Sequence, residues 1–488
     1  MNHPHVLLDG DHLTCAQVYQ VAVAGARAEV GDTGRARAAW QLAATLPGPV
    51  YGRHTGVGAN VAVMSEDTGL RENALDLDLL RSHAGGAGPL IDEERARATL
   101  VVRANQILRG GSGIDPGVTH ALADAVNHGF TPPMRTYGAV GTGDLAALAT
   151  AALCLLGELP WRQAGGRPTG GEGGPRFALG YGEALPFISS GAATLGDAAL
   201  ACHRLRRLLT TAISVAARSF VAVDASVEPL AAAVQEGRPH PGQAAVATLL
   251  RASLPVPGPT GRVQDPYGFR AFAQVHGAAM EAMARAEQVV EVDMNAAAEN
   301  PLIGGDGHAW HNGNFHSGPV ALALDGLRAA VAQTAALSAA RLGALMEPRY
   351  TGLAPFLAEA PGRSGMMILE YVAQDALAEL RFLAQPVTTG STVISRGAED
   401  HAGFGTHAAR RTLEAIRPLE VLLACELVAA MRAMRLRGIH QPPGDPDLDL
   451  SDPLGLPVQD HSLDADLEAA RLAISLAGDR ELGPARGR

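Results

Sequence analysis

Gln264-Asp265-Pro266-Tyr267-Gly268-Phe269-Arg270 opens the stretch that decides the fold class, QDPYGFRAFAQVHGAAMEAMARAEQVVEVDM, which ends at Met294. Asp265-Pro266 stops regular structure. From about Arg270 to Met294 apolar residues then recur at helical spacing. Two more such stretches run from about Pro319 to Met346 and from about Ala402 to Leu436. At 1.5 Å per residue each predicts a rod of roughly 35–50 Å. Strand signals are few, and no alternation of strand and helix points to a parallel sheet. The expected fold is all-α, a long-helix bundle.

Shorter elements surround these rods. Thr14-Cys15-Ala16-Gln17 reads as a capping box opening a first helix. Helical periodicity recurs over Glu72–Arg81 and Glu93–Leu108, and a last short helix is expected at about Asp464–Leu476. Residues 48–60 form a Gly-rich loop, 110–143 are rich in Gly and Pro, and 164–174 make a flexible surface excursion. The tail from Gln441 to Asp460 is rich in Pro and Asp and irregular. Three parts are expected: an N-terminal domain over 1–200, a central long-helix domain over 201–440, and a C-terminal tail with a short helix over 441–488.

The chain has 488 residues, 47% of them hydrophobic and 18% charged, with a formal net charge of -11. A large buried core and a sizeable subunit interface fit that balance. No basic block with interleaved aromatics is present, which speaks against nucleic acid and anionic membranes as partners. Cys15, Cys154, Cys202 and Cys425 are widely separated in apolar stretches and read as buried thiols of a reducing compartment. The N-terminus lacks the pattern of a signal peptide. Leu145–Leu156 and Leu419–Met431, the longest apolar runs noted, are too short to span a bilayer. The expectation is a cytoplasmic protein with no membrane partner.

Five segments can carry chemistry, and each also has a plain structural reading. The loop Tyr51-Gly52-Arg53-His54-Thr55-Gly56-Val57-Gly58 either presents a phenol over a site or is a surface turn. His83, in Arg81-Ser82-His83-Ala84-Gly85, either titrates or caps the last turn of its helix. Tyr267 and Arg270 lie three apart at a helix opening, where the guanidinium suits a carboxylate or simply faces solvent. Asn312-Gly313-Asn314-Phe315-His316 is polar and turn-rich. Glu399 and Asp400 either serve a site or favour a helix dipole. The histidines at 308, 311 and 316 give no metal pattern. The Gly-rich loops do not sit between a strand and a helix, as a phosphate cradle requires.

Taken together in chain order, VYGRHTGVGAN, LRSHAGGAG, GAVGTGDLAALA, VQDPYGFRAFAQVHGA, ENPL, NGNFHSGPVALALD, SGMM and GAEDHAG resemble the histidine and aromatic amino-acid ammonia-lyase family over nearly the whole chain. That resemblance implies a fumarase/aspartase-like, histidine ammonia-lyase-like superhelical fold. It implies a homotetramer with active sites shared between subunits, and an amino-acid-like small-molecule substrate. By matching motif, Tyr51 is the expected catalytic base or proton-transfer residue and Arg270 the carboxylate anchor, supported by Gln264, Tyr267 and Asn314. Phe315 lines the pocket, Ser82-His83 takes the selectivity position, and Glu399 is the acid near an imidazole.

The family builds its own electrophile, a methylidene-imidazolone, from an Ala-Ser-Gly triad, so no external cofactor is expected. The matching stretch here, Gly138-Ala139-Val140-Gly141-Thr142-Gly143-Asp144-Leu145-Ala146, is one residue shorter and has no serine. Ser189 also stands where the family has an Asn that assists the electrophile. Either Gly141-Thr142-Gly143 cyclises to a methyl-substituted electrophile, or no electrophile forms. Two departures touching one function favour the second. The resulting expectation is a carbon–nitrogen lyase acting on histidine or a related substrate by Tyr-mediated proton abstraction. The alternatives are an electrophile-independent lyase, isomerase or cyclase of specialised metabolism, and a non-catalytic ligand-binding or partner paralogue.

Overall fold

A computed structural model describes residues 4–64, 74–163, 165, 167–169, 173–255, 262–439 and 459–477. It is 58% helix and 6% strand, which makes the fold all-α as expected. The first helices are α1 (Cys15–Ala22), α2 (Gly34–Ala43), α3 (Ala74–His83), α4 (Glu93–Leu108), α5 (Gly117–Asn127), α6 (Leu145–Leu156) and α7 (Ala184–Ile188). They are followed by α8 (Ala192–Ala222), α9 (Ala232–Gly237), α10 (Pro241–Ala252), α11 (Tyr267–Arg270), α12 (Phe272–Met294) and α13 (Gly318–Leu345). The chain then forms α14 (Pro348–Thr351), α15 (Ile368–Leu383), α16 (Gly405–Glu414), α17 (Ile416–Leu436) and α18 (Asp464–Ala477). What strand there is forms two-stranded pairs, such as the parallel His5–Leu8 with Arg27–Val30 and the antiparallel Ala87–Leu90 with Arg135–Tyr137.

Local chemistry explains the element ends. Thr14 caps α1: its hydroxyl accepts from Gln17 N–H at 3.2 Å, and the Gln17 side chain accepts from Thr14 N–H at 2.9 Å. α4 spans the expected residues and carries Glu93 and Glu94 in its first turn, where acids favour the helix dipole. The first expected rod forms unbroken as α12, with the single turn of α11 set off before it at Ala271, and the third is interrupted. The third breaks at Ala415, because Pro418 has no N–H and its ring collides with the carbonyl four residues earlier. α8, 31 residues and about 46 Å long, is a long rod the sequence reading did not single out. Residues 72 and 73 of the expected Glu72–Arg81 helix, several of 164–174, and 441–458 of the expected irregular tail lie outside the described residues.

Among the described residues two helices are long and apolar enough by composition to cross a membrane, so Leu145–Leu156 and Leu419–Met431, though themselves too short, are not the longest apolar runs. One of them, ending at Ala222, is 83% buried over its apolar window and serves as a core helix, whereas Gly318–Leu345 is 50% buried. All four cysteines are buried free thiols.

The chain divides into two units. The first comprises Met1–His203, Ala286–Asp325 and Pro386–Leu413, the second Arg204–Arg285, Gly326–Gln385 and Glu414–Arg488. In the first, a fully buried ion pair joins Arg103 of α4 to Glu299 at 2.9 Å. The same guanidinium donates to the carbonyls of Pro186 at 2.7 Å and Phe187 at 3.0 Å, and so anchors α7. In the second, buried Glu426 of α17 accepts from Ser219, Ser338 and both Nε and Nη2 of Arg341 at 2.5–2.8 Å. At Glu426 both carboxylate oxygens accept charge-assisted hydrogen bonds, whereas at Glu299 only Oε1 is paired and Oε2 is buried without a partner.

Candidate active site

The first unit builds its site around the loop from Val140 to Asp144. Gly141 (φ +94°) and Gly143 (φ +109°) both occupy the left-handed region. At Gly141 the requirement for glycine is also spatial. A Cβ there would lie 2.7 Å from Ser317 Oγ and 2.8 Å from the backbone nitrogens of Phe404 and Gly405. Those neighbours hold the loop. The Gly141 carbonyl accepts from Ser317 N–H at 3.1 Å and from Ser317 Oγ–H at 3.0 Å. The Val140 carbonyl accepts from Phe404 N–H at 2.8 Å, and Asp144 N–H donates to the Ser190 carbonyl at 2.7 Å.

Asp144 is buried at the opening of α6. Burial pushes its carboxyl up to about 6, against the lowering effect of hydrogen bonds from Thr194 N–H at 2.6 Å and Thr194 Oγ–H at 2.9 Å. Thr142 is half-buried between its two buried glycines, and its hydroxyl donates to Glu399 Oε2 at 2.9 Å.

From Glu399 the network runs to the tyrosine loop. Ile394 N–H donates to the Glu399 carbonyl at 2.9 Å, and the next residue, Ser395, accepts from Ala59 N–H on its Oγ at 3.1 Å. Gly58 N–H donates to the Tyr51 phenolic oxygen at 2.7 Å, which orients the ring and leaves the phenol's own proton to be given elsewhere. Tyr51 N–H donates to His311 Nε2 at 3.3 Å, tying this loop to the polar segment around Asn314. Gly52 (φ +72°) lies so close to α7 that a Cβ would fall 2.0 Å from Leu185 Cδ2.

Ser189 ends α7 with its N–H on the Leu185 carbonyl at 2.8 Å and is 7% exposed. Asn314 N–H donates to Asn312 Oδ1 at 2.8 Å, in the segment that leads through half-buried Phe315 to Ser317. Tyr51, Gly141, Thr142, Gly143, Ser189, Asn314, Phe315 and Glu399 are therefore gathered within one unit by a continuous set of hydrogen bonds and chain segments.

His83 Nδ1 lies 2.9 Å from the Leu79 carbonyl and 3.0 Å from Ser82 Oγ, which ties that side of the ring to the last turn of its own helix. Gln264, Tyr267 and Arg270 form a separate cluster in the second unit. The Arg270 guanidinium stacks over the Tyr267 ring at 4.4 Å and donates through Nη1 to Gln264 Oε1. Arg270 Nε is buried without a partner. Tyr267 is 67% exposed, and the planar guanidinium is fixed by stacking with donor capacity left over.

Several positioning residues were not singled out from sequence. Ser317 lay inside a quoted motif, but nothing in the letters ties it to Gly141, 176 residues away. Arg103 had a usable signal, a lone charge in the apolar run Val101-Val102-Arg103-Ala104, which is the mark of a buried ion pair. The neighbouring pair of His316 Nε2 and His401 Nδ1, 3.0 Å apart, had none. A cavity of 270 Å³ is lined by Gly138, Ala139, Asp144, Thr406 and the Arg95–Asp197 ion pair, and neither Tyr51, Thr142 nor Glu399 lines it.

A family profile described as "Aromatic amino acid lyase" matches residues 13–452. The histidine ammonia-lyase of Geobacillus thermodenitrificans is 36% identical over 454 residues, covering 89% of this chain and 90% of that protein. Among solved structures, histidine ammonia-lyase from Trypanosoma cruzi superposes with a TM-score of 0.87 at 28% identity, over 97% of this chain and 95% of that one. Tyrosine aminomutase from Streptomyces globisporus does so with a TM-score of 0.88 at 27% identity, over 97% of each chain. With the fold, the ordered motifs and this extent of identity in agreement, the chain belongs to the aromatic amino acid lyase family and is a lyase.

Proposed function

We propose that this enzyme cleaves a carbon–nitrogen bond in histidine or a related imidazole-bearing amino acid, with Tyr51 moving the carbon-bound proton and Arg270 holding the carboxylate. The observation that carries the reading is the Tyr51 phenol, oriented by Gly58 N–H and linked through Ser395 to the loop bearing Glu399, whose carboxylate meets Thr142. The Arg270–Tyr267–Gln264 cluster supports the second half, since a stacked, preoriented guanidinium suits bidentate carboxylate binding. Glu399 and His83 are the proposed polar contacts of the substrate ring, with Asn314, Phe315 and Ser189 beside it. The resemblance carries over a homotetramer whose sites draw on more than one subunit.

The residues at 141–143 do not fit the family's methylidene-imidazolone. The alanine of the triad has no room, because its Cβ would overlap Ser317 Oγ and two backbone nitrogens. The hydroxyl that would have to leave as water is a hydrogen-bond donor to a carboxylate, whereas departure requires that oxygen to receive a proton. The loop is also a residue shorter than the family pattern, and Ser189 replaces the assisting Asn. Without the electrophile, elimination is easiest from a substrate whose proton is acidified by its own conjugated system, which favours an imidazole-bearing relative over histidine itself. General acid–base catalysis then supplies roughly 10²–10⁴-fold per positioned group.

The test is to incubate purified protein with L-histidine and with imidazole-bearing relatives, following amine release and the conjugated alkene. Release from at least one is expected, and Tyr51→Phe abolishes it. Undiminished turnover by Tyr51→Phe would remove Tyr51 from the chemistry and sink the reading.

A further inference from the structure

We propose that Thr142, held by Glu399, is an ammonium-binding residue, so that this site takes the substrate nitrogen as a cation at the position where the family's relatives present an electrophile. The proposal rests on the lyase reading above and deepens it by naming the state of the nitrogen.

A threonine hydroxyl has one proton to give and two lone pairs to offer. The Thr142 proton is committed to Glu399 Oε2 at 2.9 Å, which leaves only acceptors on that oxygen. Four neighbouring donors are also committed. Ser317 N–H and Oγ–H both serve the Gly141 carbonyl, Phe404 N–H serves Val140, and Asp144 N–H serves Ser190. The half-buried Thr142 hydroxyl is therefore left with its lone pairs to offer and sits beside a carboxylate. An electrophile attracts a nitrogen lone pair and so selects a neutral amine. An acceptor surface next to a carboxylate attracts N–H donors and selects an amine whose lone pair is already protonated.

Such a nitrogen is also the better leaving group. Once the Tyr51 hydroxyl has given its own proton to solvent, its oxygen takes the proton from carbon, and the C–H electron pair forms the new double bond. The C–N bond breaks with its pair passing to nitrogen, and a neutral amine departs. The ligand class is a primary or N-alkylated ammonium retaining at least one N–H. Thr142 is the residue that touches it. Glu399 acts through Thr142, fixing which way the hydroxyl points.

Isothermal titration of the intact protein with L-histidine and with 3-(imidazol-4-yl)propionate, which differs by lacking the amine, tests this. Histidine is expected to bind about 10- to 100-fold tighter, the range of a hydrogen bond to a charged group. Thr142→Val removes that preference, while Thr142→Ser keeps it. Glu399→Gln, whose amide can donate to the Thr142 oxygen, erodes it even where the valine variant fails to fold. The intact mass of the wild-type protein is expected to match the unmodified chain. Equal affinities for the two ligands would overturn the inference and leave the lyase reading standing. A deficit of two waters in the peptide holding 141–143 would overturn it too, because the hydroxyl would be gone. Binding of neither ligand would overturn both.

Discussion

Gly141→Ala would place in this chain the residue that begins its relatives' electrophile triad, and it is expected to damage the protein rather than repair it. Two terms contribute. A non-glycine residue at φ +94° is held in a strained backbone region, which costs roughly 1–3 kcal/mol. Crowding adds roughly 1–3 kcal/mol, since the new methyl lies 2.7 Å from Ser317 Oγ and 2.8 Å from two backbone nitrogens that cannot rotate away. The total is about 2–6 kcal/mol, a large fraction of typical net stability. Chemical denaturation followed by circular dichroism should show a clearly lower midpoint. Ser317→Ala alone gives up one hydroxyl bond to the Gly141 carbonyl and costs about 0.5–1.5 kcal/mol, the backbone N–H bond remaining. In the Ser317→Ala background Gly141→Ala should cost less, though still more than 1 kcal/mol, because the clashes with Phe404 and Gly405 persist. A Gly141→Ala protein as stable as wild type, or one whose peptide loses two waters, would refute the steric reasoning and reopen the electrophile.

Other expectations follow from single sites. Arg103→Met leaves Glu299 buried with no partner and frees the carbonyls of Pro186 and Phe187, so a loss of about 3–5 kcal/mol is expected in thermal and urea melts. Arg270→Lys loses the forked, stacked geometry over Tyr267, and should raise KM tenfold or more with little change in melting temperature. Burial pushes His276 down to about 4, with its ring bonded to Thr334 Oγ at 2.7 Å and the Leu209 carbonyl at 2.9 Å. Between pH 6.5 and 4 the unfolded chain takes up a proton there that the folded chain does not. This residue's share of stability is therefore full above pH 6.5 and falls by about 3 kcal/mol as acid is added. His276→Gln should flatten that part of the stability–pH curve, and an unchanged slope would place the acid sensitivity elsewhere.

The fold class was legible because helix periodicity and its punctuation are local. Glu93–Leu108 begins and ends where its letters place it, and the Thr14 capping box is a matter of four consecutive residues. The break at Ala415 was also legible in principle, since Pro418 lies in plain sight, although the unbroken apolar pattern masked it. α8 escaped notice for a different reason. Buried polar groups such as Thr194, Asp197, Ser214, Arg218 and Ser219 lie among its apolar residues, and its half-buried polar face is confined to the middle, from His203 to Thr210.

The site divides along the same line. By itself the sequence determined which residues are candidates for the chemistry, because Tyr51, Thr142, Arg270 and Glu399 lie in motifs whose order and spacing are one-dimensional facts. It also showed that the triad is altered. Only the tertiary structure decided what surrounds the altered loop. The crowding at Gly141 comes from Ser317, Phe404 and Gly405, and the Thr142 proton goes to Glu399, 257 residues away. Whether a loop can accept a methyl group, and which way a hydroxyl points, depend on atoms brought within 3 Å by packing, and sequence spacing carries no information about that distance.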